Sequence, residues 1–129
     1  MITVVAALIE KDGKVLIAKR STGDKCVYGK WEFPGGKVDK GENELQAIER
    51  EIKEEFELEI KADKFITNNI YEYPNKLIDL RLYHCKYISG EFHLHDHFEY
   101  QYVSKDKLLE YDLAPADIEL AQYVIEYYK

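Results

Sequence analysis

Cysteine, basic charge and long apolar runs are all in short supply here, and each shortage closes off a class of protein. Only Cys26 and Cys85 occur in 129 residues. Two thiols so far apart make neither a disulfide framework nor a zinc-type spacing, and a reduced, cytoplasmic setting suits them. No apolar run approaches the ~18–20 residues that span a bilayer, so no membrane partner is expected. The opening MITVVAALIEKDGK lacks a basic start and a small-residue cleavage site, and no secretory leader is read in it. Lysine and arginine total 18 against 25 acids, a net charge of −7. That balance argues against a partner that is a nucleic-acid polymer, which calls for a basic stripe. A small phosphorylated ligand stays possible, because a bound divalent cation reverses the local sign. Repeats, linkers and low-complexity tracts are absent, which leaves one domain over 1–129; the expected assembly is a monomer or a homodimer.

What is present falls into short segments. ITVVAALI (2–9) and KVLIAKR (14–20) are β-branched runs around Asp12-Gly13, a hairpin signal. A polar loop over 21–31 leads to WEF (31–33), a short strand cut by Pro34-Gly35-Gly36, where regular structure is expected to end. From Asn43 to Phe56 the period becomes helical, with Leu45, Ile48, Ile52 and Phe56 as its stripe. KFITNNIYEY (64–73) and KLIDLRLYHCKYI (76–88) read as two strands, and 90–104 as extended or looped. A short helical turn near 105–109 precedes a last helix opened by Pro115, with Ile118, Ala121, Val124, Ile125 and Tyr128 inward. Strands interleaved with two helices predict an α/β (α+β) sandwich, a mixed sheet between the two helices.

The stretch EREIKEEFEL (49–58) needs a reason to exist. Pairing Glu49 with Lys53, and Arg50 with Glu54, accounts for part of it as a solvated face. The rest does not pair: Glu51 and Glu55 are four apart, and like charges at that spacing cost ~0.2–0.5 kcal/mol per pair. At about 100° per residue, Glu51, Glu54 and Glu55 share a third of the helix circumference. Glu55 also borders the apolar stripe, where desolvation worsens the repulsion. A hard dication with oxygen ligands resolves the conflict. Just before the helix, FPGGKVDKGENE (33–44) offers glycines that let backbone approach a ligand, and Lys37 as a cation.

Taken together, these residues resemble the Nudix hydrolase signature G-x5-E-x7-R-E-U-x-E-E-x-G-U, with U aliphatic. Gly36, Glu42, Arg50, Glu51, Ile52, Glu54, Glu55 and Leu58 fall in register over 36–58, and Glu57 alone departs, standing where the family has glycine. That glycine closes the helix, so Glu57 makes the helix end a point to check. WEFPGGKV resembles the MutT branch, and the order of segments is similar over nearly the whole chain.

The resemblance implies a Mg²⁺-dependent enzyme, with Mn²⁺ a possible substitute, that cleaves a nucleoside triphosphate to monophosphate and pyrophosphate by attack of water. It implies metal binding by Glu51, Glu54, Glu55 and the Gly35 carbonyl, with Gly36, Glu42 and Arg50 in support. Lys37 and Arg20 are candidates for the phosphates, Arg20 being equally an exposed charge that ends a strand. Relatives add an acid from a late loop, here Asp96 in preference to Glu99. His93, His95 and His97 alternate and raise a zinc reading, against which hydrogen-bonded histidines are the default. For the base, Asp117 in the first turn of the last helix is either a dipole-favoured acid or the reader of a cytosine nucleotide or 8-oxo-dGTP, with Tyr28, Trp31 or Phe33 to stack on it. A non-catalytic nucleotide-binding domain, and a hydrolase of another nucleoside-diphosphate compound, are the alternatives.

Overall fold

Alternation along the first hairpin decides the architecture. β1 (Ile2–Lys11) and β2 (Lys14–Arg20) turn successive side chains to opposite faces, and both faces are apolar. Val5, Ala7, Ile9, Leu16 and Ala18 pack on one side, Ala6, Leu8, Val15 and Ile17 on the other. A sheet buried on both faces needs cover on both. α1 (Glu44–Phe56) covers the first face and α2 (Pro115–Tyr127) the second. The computed structural model, which describes residues 1–128, is thus an α/β/α sandwich.

The hairpin turns on Asp12 (φ 54°) and Gly13 (φ 77°), the left-handed pair a two-residue primed turn requires. The other strands are β3 (Trp31–Glu32), β4 (Gly35–Lys37), β5 (Glu59–Tyr73), β6 (Lys76–Ser89) and β7 (His97–Ser104). Their order is β3-β2-β1-β6-β5, with β4 also on β1 and β7 also on β2. β1 runs parallel to β6 and antiparallel to its other partners, so the sheet is mixed. A 3-10 helix (Lys105–Glu110) links β7 to α2.

Several local expectations need correction. Gly35 and Gly36 do not end regular structure. They form β4, pressed on β1 so closely that a Cβ on Gly35 would overlap the Val5 carbonyl. β5 starts at Glu59, five residues before the reading, because its first part pairs with the far end of β6. Leu45 and Ile118 are exposed; Ala47 takes the inner position in α1, and Ala116, Asp117 and Leu120 do so in α2. Glu49 does not serve Lys53. It accepts the Ala62 amide at 3.1 Å and lies 3.9 Å from Lys61, because β5 runs alongside the helix there.

α1 starts in a capping box, Asn43 and Gln46 exchanging backbone amides for side-chain oxygens. It ends at Glu57, which takes the left-handed conformation itself (φ 58°, ψ 32°) and donates its amide to Lys53. A side chain there costs about 1 kcal/mol relative to glycine. The Glu57–His95 pair at 2.7 Å is half-exposed on both sides and offsets little of that. Glu57→Gly is therefore expected to raise the Tm by ~2–4 °C, read by calorimetry; a lower Tm would mean that the His95 contact outweighs the strain.

Candidate active site

A cavity of about 390 Å³ opens between the C-terminal half of α1, the β3–β4 segment and the start of α2. One wall is acidic. Glu51 and Glu55 stand one helical turn apart with side chains 14% and 16% exposed, too dry to be a solvated face. Burial, then the charges of Glu51 and Glu32, push the Glu55 carboxyl up to about 9. Glu51 is tucked beneath β4, where a Cβ on Gly36 would overlap its carboxylate. The glycine at 36 is thus a matter of space.

Arg50 sets the orientation of this wall. Its Nη1 donates to Glu51 at 2.8 Å and Glu54 at 3.1 Å, its Nε to Glu42 at 3.0 Å, and its Nη2 to Glu42 at 2.6 Å and the Lys37 carbonyl at 3.0 Å. The Glu42 bonds, opposed by burial and aided by Glu51, hold the guanidinium well above its usual range. In return Arg50, with the Asp39 amide, lowers Glu42. The loop 37–42 is tied to α1 through this one side chain.

The facing wall comes from β2, β3 and β7. Glu32 is opposite Ala18, and Arg20 is paired with His97 across a bulge at Lys19/Arg20, so these side chains meet on the α1 side. Arg20 Nη1 donates to Glu32 at 3.2 Å and its Nε to the Thr22 carbonyl at 3.1 Å. Burial opposes its charge, but Glu32, and behind it Glu55 and Asp96, keep it above its ordinary value. The loop 90–96 is laced to the end of α1. His93 and His95 donate their amides to the Phe56 and Glu55 carbonyls, two of the helix groups that lack an internal partner. This seats Asp96 on the cavity rim.

The far end is apolar, lined by Val4, Ile78, Leu80, Ala114 and Ala116, with Tyr73 and Lys76 beside them. Asp117 lies there, 5% exposed, accepting the Phe33 amide at 2.9 Å. Burial and the Glu32 charge push its pKa well up, against the pull of that amide and of Arg20.

Most of the residues picked from sequence meet in this one cavity: Arg20, Gly35, Gly36, Lys37, Glu51, Glu55, Asp96 and Asp117 all line it. Glu54 is turned outward, 58% exposed, beside Arg50. Glu99 lies along β7 opposite Lys19, and Phe33 and Trp31 are packed in the α2-side core, so neither ring faces the cavity. Tyr28 is on the surface, edge-on to Phe98. The histidines do not share a face: His93 is exposed, His95 pairs with Glu57, and His97 is buried. Among the described residues no three His, Cys, Asp or Glu side chains close into a metal cage. An open acidic wall still fits a magnesium-like ion, which keeps waters and takes one or two carboxylates plus phosphate. Glu32 and His97 were missed as parts of this site. The signal for Glu32 was its position just ahead of Pro34 and the glycines, and for His97 its place next to Asp96.

A model of the NUDIX domain matches residues 1–124. The chain belongs to the NUDIX domain family. It is 39% identical over 123 residues to the CTP pyrophosphohydrolase of Escherichia coli K12, covering 95% of this chain and 90% of that one. It is 32% identical over 105 residues to the 8-oxo-dGTP diphosphatase of Buchnera aphidicola, covering 81% and 78%. Among solved structures, the MutT protein of Methanosarcina mazei Go1 superposes with a TM-score of 0.85 at 28% identity, over 99% of this chain and 96% of that one. The E. coli ORF135 protein does so at 0.81 and 36%, over 95% and 86%. This Nudix protein is an enzyme of a family that acts on acid anhydrides and uses divalent metal ions. Among its described residues no helix is long and apolar enough to cross a membrane.

The raised Glu55 makes stability depend on pH. Folded, the carboxyl keeps its proton up to about 9; unfolded, it releases it near 4.5. Between those values the folded state binds more protons, so stability falls as pH rises, and buried Asp117 acts in the same sense. The metal-free protein is expected to lose Tm between about pH 5 and about pH 8, and Glu55→Gln to flatten that loss. Equal slopes in thermal melts of the two proteins would show that Glu55 is ionised in the fold.

Proposed function

We propose that this Nudix hydrolase uses Mg²⁺, or Mn²⁺ in its place, to cleave a nucleoside triphosphate to the monophosphate and pyrophosphate. The observation that carries this reading is the polarity of one cavity. Self-repelling carboxylates of α1 line one end and a buried acid beside apolar side chains the other, with Arg20 acting electrostatically on both and Lys37 also in the lining. A polyphosphate with a base at one end calls for the same parts.

Each group of residues takes one share of the work. Glu51, Glu55 and the Gly35 carbonyl would hold the metal, and Glu54, which faces outward beside Arg50, would join them by a change of side-chain rotamer. Gly36 makes room for Glu51, and Arg50 and Glu42 fix the carboxylates. Metal bound there neutralises phosphate charge and makes water a better nucleophile at neutral pH. Arg20 and Lys37 grip the phosphates, and Asp96 takes the proton of the attacking water. Catalysis is then mostly positioning and electrostatics.

For the base, a cytosine nucleotide is the first reading, supported by the Asp117 carboxyl as acceptor for an exocyclic amine and by the 39% identity to a CTP pyrophosphohydrolase. 8-oxo-dGTP is the second, and what favours it is the burial of Asp117, which shifts the carboxyl toward its protonated form, a donor as well as an acceptor.

Turnover of CTP, dCTP and 8-oxo-dGTP with Mg²⁺, read as pyrophosphate release, tests this. Glu51→Gln and Glu55→Gln are each expected to lower kcat by at least ~100-fold, at or beyond the upper end of what a supporting residue costs. Either variant matching wild type would remove the acidic wall from the mechanism. Asp117→Asn is expected to change the ratio of cytosine to oxoguanine turnover; equal losses on both would make Asp117 a structural contact to Phe33.

A further inference from the structure

His97 is a costly residue in its place. Its side chain is 1% exposed, and its ring is stacked on Phe56, centroids 4.9 Å apart and planes 23° from parallel. An apolar ring or a leucine would fill that space without the desolvation a buried imidazole incurs. What the imidazole adds is one bond. Its Nε2 is 2.8 Å from Oε2 of Glu32. The other nitrogen, Nδ1, is buried with no hydrogen-bond partner, the Glu55 carboxylate being 3.9 Å away. An ionised Glu32 only accepts, so the proton belongs on Nε2.

Glu32 has a second client. Its Oε1 receives Arg20 Nη1 at 3.2 Å, so the carboxylate is held between one donor sealed from solvent and one that reaches into the cavity. The Arg20 Nε is fixed separately on the Thr22 carbonyl. The chain of contacts therefore runs from a rigid core ring, Phe56, through His97 and Glu32 to the guanidinium.

We infer that His97 is a positioning residue for substrate: by donating from Nε2 it fixes Glu32 as the seat of Arg20, so that the guanidinium meets the polyphosphate in one orientation. This rests on the nucleotide reading above, and it assigns His97 to the phosphate grip instead of the metal wall, although Glu55 is near. Loss of the bond leaves Glu32 with one donor and Arg20 with a mobile partner, which weakens ground-state and transition-state binding alike and appears in KM.

Two amide substitutions separate the roles of the two nitrogens. The side-chain nitrogen of Gln reaches where Nε2 is, whereas that of Asn reaches only where Nδ1 is. His97→Gln is expected to stay within about threefold of the wild-type KM, and His97→Asn to raise KM by ~10–100-fold with kcat and the half-saturating Mg²⁺ concentration little changed. Calorimetry with a non-hydrolysable CTP analogue and Mg²⁺ should show the same order of affinities without relying on turnover. Adding His97→Asn to Glu32→Gln should cost nothing further. Equal losses in the Gln and Asn variants would reduce His97 to packing, additive losses would disconnect it from Glu32, and a change confined to Mg²⁺ dependence would move it to Glu55; each overturns the inference. A wild type that binds the analogue but does not hydrolyse nucleotides defeats the enzymatic reading and leaves this one standing, whereas a wild type that does neither defeats both.

Discussion

Carboxylates crowded along one cavity wall repel one another, and the site is organised by how that repulsion is held. Arg50 answers most of it from behind, spreading one guanidinium over Glu42, Glu51 and Glu54 while tying down the Lys37 carbonyl. Arg20 does the same for Glu32 from the opposite side. Glu55 is the acid left over. Among the described residues it has no lysine or arginine within ion-pair distance, and its carboxyl is pushed up to about 9. A buried acid without a cation takes a proton or a metal ion. The fold gives Glu32, Glu42, Glu51 and Glu54 an arginine each can lean on and leaves Glu55 to exchange a proton for something brought in from solvent.

The sheet decides where such a wall is tolerable. Because β1 and β2 are apolar on both faces, helices must cover both, and little room for polar groups remains in the interior. The exception is the strip where β3 and β4 interrupt the regular order, β4 lying on β1 and β3 on β2. There the chain is short, rich in glycine and interrupted by Pro34, so backbone and acids come together without displacing core side chains. One end of the cavity opens on the face covered by α1 and the other near the first turn of α2. A ligand lying along it would touch both layers, its two ends against different halves of the core.

Much of this was legible in the sequence, and the unread parts share a cause. Helix α1 and the grouping of Glu51, Glu54 and Glu55 on it come from local period and spacing, which act within a few residues. The double-faced hairpin comes from continuous β-branched runs. The placing of Leu45 and Ile118 outside, with Ala47 and Ala116 inside, does not, because small residues carry no hydropathy signal and yet are what close packing against a sheet demands. Aromatic residues near the glycines were natural candidates for stacking on a base, but Trp31 and Phe33 are needed in the α2-side core, and only tertiary structure assigns them there. Glu32 and His97 are 65 residues apart and acquire meaning from a bulged strand pair that no pattern announces. Local chemistry could be read; chemistry assembled across strands could not.

The one residue that departs from the family pattern shows how a local rule is overridden. A glycine at the end of α1 would adopt the left-handed turn without strain, and Glu57 adopts it anyway. The reason lies in the loop that packs on the helix end. The last carbonyls of the helix are taken by the amides of His93 and His95, and His95 returns to the Glu57 carboxylate, so the helix end and the loop 90–96 form one hydrogen-bonded unit. A glycine would relax the turn and keep the two amide bonds, but remove the carboxylate that His95 holds, a half-exposed contact of little weight in stability that bears on where the loop sits beside Asp96. The glutamate thus exchanges backbone ease for a tether on the segment that carries Asp96 and His97. Strain kept next to a site is informative only when something depends on it, and here the dependent element is the strand start that sets Asp96 at the cavity rim and His97 behind Glu32.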